Sequence, residues 1–258
     1  MIMLKASESY VKRLVEENLR TDARKFDEFR EIKIERDVIK TAEGSARVQI
    51  GNSIVLAGVK LSVGEPFPDT PNEGVLIVNT ELVPVASPTF EPGPPNEEAI
   101  EIARVIDRGI RESESIDMEK LMIEEGKVWM INVDIHVLDH DGNLIDAGAL
   151  AAVSALLHTK LPKYENGIVS YKEHEEKLTM RDIPITVTIG KISNKLLIDT
   201  NLEEENALES RVTIATNKKG NICAIQKGGD GYFTTEELTR AADLSIHKGK
   251  ELRKMLED

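Results

Sequence analysis

Asn132 to Leu157, NVDIHVLDHDGNLIDAGALAAVSALL, reads as a strand, a glycine-containing turn and a helix in immediate succession. Apolar and polar residues alternate to about Leu138, which is the period of a half-buried strand. Asp141-Gly142-Asn143 supplies turn chemistry, and small apolar residues from about Asp146 onward predict a helix that buries most of its circumference. A helix entered through such a loop presents unpaired backbone N–H groups and the positive end of its dipole, a seat for an anion. The side chains that normally complete such a seat are missing, because no Lys or Arg occurs between Asp141 and Leu157 and Ser154 lies well inside the helix. Asp146 is the expected N-cap, satisfying the N–H groups itself and repelling an anion.

Working outward, the N-terminal side predicts one helix followed by a sheet. Leu4, Val11, Leu14, Val15 and Leu19 form a single stripe, so Leu4 to Leu19 is expected to be a packing arm. Between Ile32 and Val85, short β-branched runs separated by Gly44, Gly51-Asn52 and PFPDTPNEG predict an antiparallel sheet. Five prolines from Pro84 to Pro95 exclude helix or central strand, and Asn96 is placed to cap a helix running to about Glu114. Beyond Pro162, the runs IVSY, IPITVTIGKI, KLLIDT, SRVTIATN and ICAIQKGG predict a second set of strands. Thr234 and Glu237 form a capping-box signature for a final helix to about Leu256. The chain therefore divides into an arm (1–30) and two α+β units (31–162 and 163–258), each a mixed or antiparallel sheet with helices packed on it.

Composition narrows the function classes. With 258 residues, 40% hydrophobic and 31% charged, the chain suits a globular protein with a sizeable core. No apolar run reaches the roughly 18 residues of a membrane helix, and the charged N-terminus is unlike a secretory signal; a cytoplasmic location is expected. The lone Cys223 excludes an internal disulfide and is expected to be a core thiol. A net charge of −13 argues against general nucleic-acid affinity, so any such contact must be local.

Three clusters carry candidate chemistry. On the helix expected from Asn96, Ala99, Ala103, Ile106 and Ile110 share one face, while Arg104, Arg108 and Arg111 share the opposite one. Three guanidiniums in a stripe suit a phosphate backbone. The plain alternative is a solvated ion-pair face, since Asp107 with Arg111, Arg108 with Glu112 and Glu101 with Arg104 have pairing spacings. Asp199 followed by Glu203, Glu204 and Glu205 suggests either a divalent-metal or general-acid site, or merely an acidic turn. His136 and His140 have a helical metal spacing but fall across a strand end, which argues against a shared metal.

The segments RTDARKFDEFR (20–30), GSARVQIGNSIVLAGVK (44–60), PTFEPGPPNEEAIEIARVIDRGIRES (88–113), VWMINVDIHVLDHDGNLIDAGALAA (128–152) and VTIGKISNKLLIDTNLEEENA (187–207) occur in this order. Together they resemble the RNase PH family, and within it the non-catalytic RNase PH-like chains of archaeal exosome rings. The resemblance implies two RNase PH-type units. Active members place a Gly-Gly-Ser/Thr-Arg run between the central strand and the next helix to hold the attacking phosphate. DAGALAA is the expected match, making Gly148, Ala149 and Leu150 a degenerate phosphate loop. Two catalytic aspartates six residues apart correspond to Asp199 and Glu205, read as vestigial. The resemblance further implies that Arg104, Arg108 and Arg111 contact single-stranded RNA, with no catalytic residue, cofactor or metal in this chain. Its implied partners are a catalytic RNase PH-like subunit, alternating with it in a six-membered ring of three heterodimers, and RNA-binding cap subunits. The alternative that it is itself an active phosphate-dependent exoribonuclease stays open at this level.

Overall fold

A computed structural model describes residues 2–165 and 167–257. The N-terminal arm is helix α1 (Ile2–Glu16), whose Val11 and Val15 pack with Ile192, Leu197 and Ala207 of the second half. Leu19 departs from the expected stripe: it follows the helix and is 50% exposed. The side chain of Leu4 falls outside those described.

The first sheet contains β1 (Ile32–Arg36), β2 (Gly44–Ile50), β3 (Ser53–Gly64), β4 (Val75–Leu82), the short β5 (Met122–Glu124) and β6 (Lys127–Asp139). Their order is β1-β2-β3-β6-β4, with β5 also on β6. The expected antiparallel arrangement fails at one place, because β4 pairs with β6 in parallel. The reason is the intervening helix α2 (Glu97–Arg111), which carries the chain back over the sheet so that the next strand runs in the same direction. Along β6 the alternation holds from Trp129 onward: Trp129, Ile131, Val133, Ile135 and Val137 are buried, while Asn132, Asp134 and His136 face the partly exposed side.

Helix α3 (Leu144–Leu157) follows directly and is buried on every side except near its last turn, as its run of small apolar residues dictates. It lies against β2 and β3 on one side and meets the second sheet on the other. That sheet is antiparallel, in the order β10-β9-β11-β12, from β9 (Ile185–Ile192), β10 (Lys195–Ile198), β11 (Ser210–Thr216) and β12 (Ile222–Gly228). β9 is buried along its whole length, between α3 and the C-terminal helix α5 (Thr235–Glu257). The Thr234–Glu237 capping box is formed, with Glu237 N–H donating to Thr234 Oγ1 and Thr234 N–H to Glu237 Oε2.

Two further expectations are corrected. The run IVSY belongs to β8 (Ile168–Lys177), which pairs with β7 (Lys160–Glu165) in a separate hairpin. Cys223 is half-buried on β12, at the edge of its sheet, rather than in the core. One hydrophobic cluster runs through both sheets by way of α2 and α3.

Candidate functional site

The loop after β6 is set by two left-handed residues, Gly142 (φ 81°) and Asn143 (φ 56°). Gly142 is required for space as well as torsion, since a Cβ there would lie 2.5 Å from the carbonyl oxygen of Thr200. α3 begins at Leu144, so Asp146 is not the N-cap. It is 2% exposed and turned toward the second sheet, where its carboxylate accepts from Thr188 N–H (3.0 Å) and Thr188 Oγ1 (2.8 Å). Asn143 holds the cap position, but its side chain donates to Asp199 Oδ1 at 2.8 Å. The acceptor at the helix head comes from elsewhere: Glu205 Oε1 receives the Asn143 N–H at 2.7 Å. A carboxylate of the chain itself thus stands where an anion would dock.

Gly148, Ala149 and Leu150 are displaced from the position expected of them. They lie in the second turn of α3 and are buried, not in the loop. Gly148 is a packing glycine, as an added Cβ would come 2.9 Å from Ile106 Cδ1 of α2. The loop and first helical residues are Gly142-Asn143-Leu144-Ile145, and two aliphatic side chains occupy the helix start.

Burial pushes the Asp146 carboxyl up from 3.8 to about 7. The folded chain therefore binds this proton more tightly than the unfolded chain. Its stabilising contribution is complete below about pH 3.8, declines as pH rises and levels off above about 7. Glu205 is likewise raised to about 7 by burial. Unfolding free energy should fall between pH 5 and 7 by up to ~1.4 kcal/mol per pH unit for each group. Urea titrations across this range should show Asp146→Asn removing part of that slope; an unchanged slope would contradict the assignment.

The acidic run does not converge on one point. Asp199, fully buried, receives hydrogen bonds from Arg30 (N, Nε and Nη2), Arg24 Nη1 and Asn143 Nδ2. Burial opposes its ionisation, but the Arg30 hydrogen bonds and charge outweigh that and hold its carboxyl below the usual range. Glu204 is bound in two-pronged fashion by Arg20, at 2.9 and 2.6 Å, with both side chains fully buried. It also closes a capping box with Asn201 at the start of α4 (Leu202–Glu205). Glu203 is exposed. Among the described residues no three His, Cys, Asp or Glu side chains are grouped as a metal would need. His136 lies 3.3 Å from Glu81, whereas His140 stacks on Phe90. Arg20, Arg24 and Arg30 are the residues that the sequence reading missed. Their partners lie 184, 175 and 169 positions away, so no local pattern could pair them.

On α2, Asn96 Oδ1 accepts from Ala99 N–H at 2.9 Å, and Ala99, Ala103, Ile106 and Ile110 are buried as expected. The helix ends at Arg111, three residues before Glu114. The arginine stripe divides. Arg111 is held by Asp107 at 2.7 Å and by the Leu76 carbonyl at 3.0 Å. Glu101 pairs with Arg211 rather than Arg104. Arg108 contacts Gln226 at 3.1 Å, and neither it nor Arg104 pairs with a carboxylate among the described residues. Both are exposed.

Two sheets bridged by a buried helix, with a strand-to-helix loop at their junction, define the class: an RNase PH-type α+β protein of two units. The pattern of the 3′ exoribonuclease family matches in both parts, domain 1 over residues 28–162 and domain 2 over residues 182–248. The chain belongs to this family. Among curated relatives it is 52% identical over 248 residues to the exosome complex component Rrp42 of Thermococcus gammatolerans, covering 94% of this chain and 91% of the relative. It is 50% identical over 252 residues to Rrp42 of Pyrococcus furiosus, covering 96% and 91%. Of solved structures, a chain of the Archaeoglobus fulgidus exosome with RNA bound to the active site superposes with a TM-score of 0.93 at 48% identity, covering 99% of both chains.

Proposed function

We propose that this chain is a non-catalytic subunit of an exosome ring, contacting single-stranded RNA and ordering the active site of a catalytic RNase PH-like neighbour for phosphorolytic 3′ to 5′ degradation. The observation that carries this reading is the head of α3. Active members hold phosphate there with a hydroxyl and a guanidinium, whereas Leu144, Ile145 and the Glu205 carboxylate stand here. Phosphoryl transfer depends on positioning and charge stabilisation, and a carboxylate at the phosphate seat opposes both. Asp199, the match to a catalytic aspartate, is consumed in bonds to Arg24, Arg30 and Asn143.

Arg104 and Arg108 are the RNA-contacting pair in this reading, and the Rrp42 relatives and the RNA-bound exosome chain support it. A confined basic spot can hold a strand although the whole chain is acidic. The partners would alternate with this chain in a ring of three heterodimers carrying RNA-binding cap subunits, in the cytoplasm. No described helix is long and apolar enough to cross a membrane. Mixing the chain with a catalytic partner should yield one species of about three-plus-three mass by light scattering, with RNA phosphorolysis well above that of the partner alone. Failure to associate would contradict the proposal.

A further inference from the structure

Two acceptors compete for the exposed Arg108. Glu112, the C-cap residue of α2, has the i, i+4 spacing of a helical ion pair, yet no ion pair joins the two among the described residues. The guanidinium is turned instead to β12, where its Nη1 donates to Gln226 Oε1 at 3.1 Å across 118 positions of sequence. We propose that Gln226 is a positioning residue for RNA: its neutral amide holds Arg108 away from Glu112 and leaves the guanidinium charge for a phosphate. This rests on the reading of Arg108 as an RNA contact.

The neighbouring arginines show what an acidic acceptor does. Asp107 takes Arg111 and Glu101 takes Arg211, each at 2.7 Å, so these charges are already balanced. A phosphate would have to displace a carboxylate to reach them. An amide oxygen carries no net charge, so it fixes the direction of a guanidinium without neutralising it. The edge of the guanidinium that it leaves open also matters. Arg20 grips Glu204, and Arg111 grips Asp107, through Nε and Nη2 together. Gln226 occupies only Nη1 of Arg108, and among the described residues Nε and Nη2 have no hydrogen-bond partner. That pair is a fork suited to two oxygens of one phosphate.

The strand makes the amide a fixed point. Gln226 is half-buried and paired in register with Thr213 of β11. With Ala224, two residues earlier, it lines a small gap against Val105 and Arg108 of α2. Its Nε2 donates to the Lys227 carbonyl at 3.4 Å, a long contact that leaves the amide oxygen toward the guanidinium. The opposite amide orientation would set N–H groups against N–H groups.

The test measures single-stranded RNA affinity of the ring formed with the catalytic partner, by fluorescence anisotropy at low salt. Arg108→Ala sets the scale and should weaken binding about fivefold. Gln226→Met keeps the side-chain length and removes the acceptor; it should weaken binding about threefold, but less than about 1.5-fold when Arg108 is already alanine. Glu112→Gln should raise affinity more in the Gln226→Met chain than in wild type, because it removes the competing acceptor. Gln226→Glu keeps an acceptor but adds a charge, and should weaken binding at least as much as Gln226→Met. Far-UV circular dichroism and light scattering check the folding and ring mass of each variant. Full affinity in a folded Gln226→Met or Gln226→Glu ring, or equal losses from Gln226→Met with and without Arg108, would overturn the proposal while Arg108→Ala still weakens binding. Unchanged affinity in Arg108→Ala would remove the RNA contact and the proposal together.

Discussion

Asp199→Ala is expected to lower the unfolding free energy by about 3–5 kcal/mol, because it strands charges that the fold has already removed from water. Arg30 and Arg24 keep only 8% and 11% side-chain exposure beside it, and the fully buried Asp199 carboxylate meets both. The same carboxylate ties together the segment at 24–30, the Asn143 loop and the turn before α4. For a chain of this size the melting temperature should drop on the order of 10 °C. Its folded-state carboxyl is depressed below 3.8, so this stabilisation is complete above that value and is lost only as pH falls through the folded-state value. Asp199→Asn, which keeps one acceptor oxygen, should cost less. A melting temperature within 2 °C of wild type for Asp199→Ala, measured at about pH 7, would show that the acid is not the structural tie described.

The second large effect concerns RNA. Arg104→Ala with Arg108→Ala in the assembled ring should weaken single-stranded RNA binding at least tenfold, which is about 1.4 kcal/mol. Two lost phosphate contacts should also flatten the salt dependence, at about 0.7 per contact in the log–log slope for single strands. Arg111→Ala should change affinity less than twofold, because Asp107 and the Leu76 carbonyl already hold its guanidinium. Fluorescence anisotropy over a salt series measures the double variant, Arg111→Ala and the single variant Arg108→Ala. Equal losses for Arg108 and Arg111 would mean that the RNA does not distinguish the arginine without a carboxylate partner from the one paired with Asp107. Unchanged affinity in the double variant would remove the proposed contact.

Local signals were legible wherever the physics is local. The alternation in β6, the Asn96 cap of α2, the Thr234–Glu237 capping box and the small-residue packing of α3 could all be read from neighbouring residues. Four features depended on distant parts of the chain. β4 lies parallel to β6 because α2 returns the chain over the sheet, which no strand pattern encodes. Asp146 resembles a cap by type and position, but the Thr188 N–H and hydroxyl offer it bonds in the core. Gly148 resembles a phosphate-loop glycine, yet Ile106 of α2 is what requires its missing side chain. The arginine stripe looked uniform because spacing reveals which pairs can form; Glu101 instead chose Arg211, from another strand. The residues expected to form the phosphate loop, Gly148 to Leu150, lie inside α3, and the strand-to-helix loop is instead set by Gly142 and Asn143.

That loop carries the central claim, that the chain has no phosphorolytic activity of its own. The most direct measurement incubates the purified chain, free of any catalytic partner, with single-stranded RNA with and without inorganic phosphate, and quantifies nucleoside diphosphates. No release above the protein-free blank is predicted under either condition, with release appearing once the catalytic partner is added. Phosphate-dependent nucleoside diphosphate release that co-purifies with the isolated chain would contradict the account.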